Sequence, residues 1–96
     1  MRVAERNRRI KKALAKVFGY KNVRVRGDRG TAYGWVEITV KVPRDPNKHP
    51  FEQEDEVKAM VWNILRETGL YDELYTYYDD MGEARKECIV DVELLD

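Results

Sequence analysis

A chain of 96 residues is one domain long, and a domain of that size buries roughly 60–65% of its unfolded surface, which makes an adequate core. One cysteine, Cys88, excludes an internal disulfide; the lack of serine excludes a serine nucleophile; no apolar run approaches the ~20 residues needed to span a bilayer. Nothing resembles a signal peptide, so the expectation is a single cytoplasmic domain over residues 1–96.

Charged residues make up 38% of the chain and Gln53 is its one glutamine. Abundant Lys, Arg and Glu with few uncharged polar residues is the composition expected of a thermophile protein. In such a protein charged surfaces often form ion-pair networks, so a charged face alone is weak evidence of a charged ligand. The net charge is zero but unevenly spread. Residues 1–48 hold 14 Lys and Arg against 4 Asp and Glu; residues 49–96 hold the reverse. The halves are thus +10 and −10, which implies a nucleic-acid face, complementary self-association or internal pairing.

Residues 2–18 predict an amphipathic helix. Val3, Ile10, Ala13, Leu14, Val17 and Phe18 follow helical spacing, and Gly19 is the stop. Its other positions are basic: Arg2, Arg6, Arg8, Arg9, Lys11, Lys12 and Lys16. Cations in the last turn suit the helix dipole, whereas Arg2 and Arg6 in the first do not. The plain reading is a solvated face; the sharper one is a phosphate-contacting surface.

Residues 22–42 read as a β-hairpin. Val23 and Val25 alternate with Arg24 and Arg26; Gly34, Val36, Ile38, Val40 and Val42 alternate with Tyr33, Trp35, Glu37, Thr39 and Lys41. The valine and isoleucine side is core. Gly27-Asp28-Arg29-Gly30-Thr31-Ala32 is too long for a two-residue turn. It matches neither GxxxxGK(S/T) nor GxGxxG, so its glycines are read as shaping the turn. Pro43, Pro46 and Pro50 mark a loop, and His49, the one histidine, has no second histidine or cysteine nearby for zinc.

A second helix spans 52–68. Acidic residues fill its first turns, and Val57, Met60, Val61, Ile64, Leu65 and Thr68 form a core stripe with Trp62 at the border. Residues 70–80 are ambiguous: Leu70, Leu74, Tyr77 and Met81 fit helical spacing, but the tyrosines favour a strand at 73–79. A turn at 81–85 leads to a strand at 86–94. There Cys88, Val90, Val92 and Leu94 face the core, and Glu87, Ile89, Asp91 and Glu93 face away.

The order α-β-β-α-β-β predicts an α+β two-layer sandwich, two helices on one face of a four-stranded, mostly antiparallel sheet. It is a ferredoxin-like arrangement with its first strand moved to the chain end. The segment VRVRGDRGTAYGWVEITV, with this element order, resembles a small α/β domain found in large polyvalent proteins of phages and mobile elements. That resemblance covers about 20 residues and implies no catalytic residues.

No catalytic constellation emerges. Cys88 lies on the core side of a strand, where cysteine behaves as a small hydrophobe, and His49 is a loop residue. Asp72, Glu73, Asp79, Asp80 and Glu83 match no calcium-loop spacing, so no metal or other cofactor is expected. The open sheet face is the candidate interaction surface, with Arg24, Arg26, Tyr33, Trp35, Lys41 and Ile89. Two readings follow. One is a non-enzymatic domain that self-associates through this face as a homo-oligomer. The other is single-stranded RNA binding, with Tyr33 and Trp35 stacking on bases and Arg2, Arg9, Lys12, Lys16 and Arg29 contacting phosphates. Glu37, Glu87, Asp91 and Glu93 oppose the second reading, because they would share the face and repel phosphate.

Overall fold

Two helices cover one face of a three-stranded sheet in the computed structural model, which describes residues 1–27 and 34–96. The first helix, α1 (Val3–Phe18), buries Arg6, Ile10 and Leu14, which lie four residues apart and stack along one side. Gly19 ends it at φ 91°, and its N–H donates to the Ala15 carbonyl. A short 3-10 turn, Tyr20–Asn22, then leads into β1 (Val23–Gly27).

β1 pairs antiparallel with β2 (Val36–Pro43), Val23 opposite Val40 and Val25 opposite Ile38. This is the expected hairpin pairing, with Val36, Ile38 and Val40 fully buried. The chain then crosses over through α2 (Pro50–Glu67), which buries Val57, Val61 and Leu65. Pro50 occupies the first turn, where its missing N–H costs nothing, and the imidazole of His49 caps the helix by accepting from the Phe51 N–H. The histidine expected to be a plain loop residue is therefore an N-cap.

The predicted four-stranded sheet is a three-stranded mixed sheet and a separate two-stranded one. Helix α2 returns the chain to the end of the sheet where β2 begins. The next long strand, β5 (Cys88–Leu95), therefore runs parallel to β2, giving the order β1-β2-β5. The segment expected as a strand at 73–79 divides into a 3-10 turn, Leu70–Glu73, and a three-residue strand, β3 (Thr76–Tyr78). Every β3 side chain is exposed, so this strand has no apolar face to bury in the main sheet. It pairs instead with β4 (Ala84–Lys86), which takes up part of the turn and strand expected at 81–94. Glu87 joins the sheets: its N–H donates to the Tyr75 carbonyl and its carbonyl accepts from the Val36 N–H.

Both helical core stripes are narrower than their patterns suggest. Val17 and Met60 are 53% and 43% exposed, because a three-stranded sheet offers less width to cover. Trp62 packs at the core border as its position implied. Among the described residues two polar side chains, Gln53 and Arg6, are buried with the core, and both act as clamps. Gln53 donates to the Pro43 carbonyl (2.8 Å) and accepts from the Asp45 N–H (2.9 Å), fixing α2 to the end of β2. Arg6 donates to the Gly34 carbonyl (2.9 Å) and to Asn7, fixing α1 to the approach to β2.

Candidate interaction surface

The face of the sheet away from the helices carries polar side chains in level rows. Arg24, Thr39 and Asp91 are aligned across the three strands, as are Arg26, Glu37 and Ile89. Lys41 is level with Glu93. The polar members of these rows, with Lys21, border a trough of about 560 Å³, and Ile89 lies outside it. Strand alternation thus brings Arg24, Arg26, Lys41 and Ile89 onto one surface, as expected. Ile89 is its exposed aliphatic, at 45%.

Strand order turns the sequence's charge asymmetry into a spatial one. The outer strand β1 presents Arg24 and Arg26, and α1 packs against it. The opposite outer strand, β5, presents Asp91 and Glu93, and α2 with its exposed Glu52, Asp55 and Glu56 packs against that side. The two sides barely neutralise one another. Among the described residues, Lys48–Glu56 is the one ion pair that joins residues 1–48 to residues 49–96. Arg26–Glu37 at 3.2 Å and Arg9–Glu5 at 2.8 Å stay within the basic half.

The remaining candidates scatter. Trp35 lies just before β2, half-buried, and does not border the trough. Tyr33 and Arg29 lie outside the described residues. Arg2, Arg9, Lys12 and Lys16 are exposed on α1, in the layer opposite the open face. Arg6, read as part of that basic surface, is instead buried. Glu87, expected on the open face, is the half-buried joint between the sheets.

Sequence reading missed Tyr20. It is 70% exposed, with the Lys11 ammonium 4.2 Å from its ring centre and Arg8, Lys12 and Lys16 around it. Its neighbour Lys21 borders the sheet trough. The basic surface therefore runs from α1 around the β1 edge onto the open face. An aromatic directly after a helix-stopping glycine was the available signal.

Asp79 is occupied within the β3–β4 turn. One carboxylate oxygen accepts from the N–H groups of Met81 and Glu83, and the other accepts from Arg85 at 2.9 Å. The Arg85 hydrogen bond, helped by the backbone donors, holds its pKa below the usual carboxylate value. Burial pushes the Cys88 thiol up to about 12, partly opposed by the positive charge of Arg6. Among the described residues, no three His, Cys, Asp or Glu side chains gather to hold a metal ion, and no helix is long and apolar enough to cross a membrane.

No protein-family model matches the chain. No curated protein and no solved structure matches it either.

Proposed function

We infer that this is a non-enzymatic interaction domain that self-associates through the open sheet face. The observation that carries the reading is the placement of exposed cations on one outer strand and exposed anions on the other. A two-fold axis parallel to the strands lays β1 of one copy over β5 of its partner. Arg24 then faces Asp91 at the same level, twice, and Thr39 lies at the axis. An axis across the strands would instead lay like charges together. Glu37 and Lys41, both on the middle strand, come near their own copies; Arg26 neutralises Glu37, and Glu93 lies level with Lys41 on the neighbouring strand. Face-to-face packing of twisted sheets with aligned strands is a common arrangement.

Charge reversal tests this pairing. Arg24→Glu with Arg26→Glu, or Asp91→Lys with Glu93→Lys, should each weaken self-association about tenfold, since both Arg24–Asp91 pairs, of about 0.2–1 kcal/mol each, turn from attraction to repulsion. An equimolar mixture of the two variants should recover association as a heterodimer in light scattering. If the mixture stays monomeric, the charge-register reading is wrong.

A second reading, single-stranded nucleic-acid binding, is favoured by the basic surface around Tyr20. Arg8, Lys12, Lys16, Lys21 and Arg24 have no ion-pair partner among the described residues. An exposed ring amid such cations suits base stacking with phosphate contacts. Tyr20→Ala with Lys12→Gln would then weaken RNA binding and flatten its salt dependence, leaving self-association intact.

A further inference from the structure

Residues 49–96 hold only four basic side chains: Lys58, Arg66, Arg85 and Lys86. Three of the four line one cleft of about 360 Å³, together with Trp62, Tyr71 and Tyr77. The cleft lies where α2 meets the foot of the β3–β4 hairpin. Tyr71 organises it. The Arg66 guanidinium is 5.0 Å from the ring centre, the Lys86 ammonium 4.9 Å, and Trp62 meets the ring edge-on at 6.0 Å.

Arg85 is committed to Asp79 and Glu83. Among the described residues Lys86 donates only to neutral oxygens, the Thr76 hydroxyl at 2.9 Å and the Leu74 carbonyl at 3.3 Å. Arg66 has no carboxylate partner among the described residues. Contact with an aromatic face attracts a cation without neutralising it. Two uncompensated positive charges thus share an aromatic-walled cleft in the half of the chain that is otherwise strongly acidic.

We propose that this cleft binds a nucleoside monophosphate. The phosphate monoester is held by Arg66 and Lys86 through charge-assisted hydrogen bonds, and the base lies against Trp62 and Tyr77. The volume is at the lower end of the roughly 300–1,000 Å³ typical of small-molecule sites, which suits one nucleotide rather than two. The acidic surroundings disfavour a longer polyanion and so select a free nucleotide over a strand. The site is separate from the open sheet face and does not depend on self-association.

The chain has two tryptophans, and Trp62 is the one in this cleft, so the full-length Trp35→Phe variant reports on it by fluorescence. AMP should change that signal saturably with a Kd below about 1 mM. Adenosine and inorganic phosphate should each bind about tenfold or more weakly, because each lacks half of the recognition. Arg66→Gln and Lys86→Gln should each weaken AMP about tenfold while the protein still melts cooperatively, and Arg66→Lys, which keeps the charge but loses the planar fork, should recover part of that loss. A signal that AMP leaves unmoved, or AMP binding unaffected by both Gln variants, overturns the proposal. Phosphate binding as tight as AMP removes the aromatic part of the argument and also overturns it. Tighter binding of a short oligonucleotide than of AMP contradicts the selection of a free nucleotide.

Discussion

The two outer strands of the main sheet solve the same packing problem with opposite charges. On β1, Val23 and Val25 face the helices and Arg24 faces solvent; on β5, Val90 and Val92 face the helices and Asp91 faces solvent, level with Arg24. Either sign would satisfy the core equally well, so folding does not explain the choice. Like charges down an exposed edge discourage an edge from pairing with its own copy. Opposite charges on the two edges leave the face-to-face arrangement favourable. The comparison teaches that the two edges share one packing solution and differ in charge alone; on the proposed reading, that difference restricts how two copies can meet.

The basic and acidic sides are joined at a few places, and breaking those joints tests how far the two sides are one structure. Gly34→Ala should have the largest effect. A Cβ there would run into the Tyr75 ring, and the residue sits at φ +97°. The expected loss is about 3 kcal/mol in urea unfolding, from overpacking plus backbone strain. Arg6→Met should cost about 2 kcal/mol in the same assay, because the buried Gly34 carbonyl loses its donor and the Tyr75 ring, 5.7 Å away in the acidic half, loses its cation. Gln53→Ala should cost about 1–2 kcal/mol, leaving the Pro43 carbonyl and Asp45 N–H without their side-chain partner.

The smallest effect is a pH dependence confined to the acidic side. The Asp79 pKa is lowered in the fold, and that of Arg85 is raised by the same contact. The stabilisation is therefore complete above the ordinary carboxylate value of about 4 and is lost as pH falls through the lowered one. Amide exchange at Met81 and Glu83 should accelerate over that acid range relative to the pH trend of a free peptide, while exchange in β1 keeps to its trend. Equal acceleration in this turn and in β1 would mean that Asp79 does not act locally.

Much of the fold was legible because strand alternation and helical spacing report burial directly. The faces of β1, β2 and β5 read correctly, from Val23 through Val90, as did both helices to within two residues. What failed was strand partnership. Nothing in the tyrosines of residues 75–78 marks a strand that pairs outside the main sheet, since their propensity is high wherever they pair. Arg6 was misread because helical charge patterning treats every arginine as solvated, and its buried partner, the Gly34 carbonyl, lies 28 residues away. Gln53 stood out only as the chain's one glutamine, without indicating what it would clamp. For the candidate surface, the shared face of Arg24, Arg26, Lys41 and Ile89 was readable from parity alone. The opposing placement of Arg24 and Asp91 required the sheet order.

The central claim is that charge polarity across the open face drives self-association, and the mass in solution as a function of salt tests it most directly. Light scattering after size exclusion should give twice the chain mass at low ionic strength. The mass should fall towards that of one chain as salt screens the Arg24–Asp91 pairing beyond a few ångströms. A single-chain mass at every salt concentration would contradict the account, as would a dimer indifferent to salt, which would need an apolar interface that this face does not present.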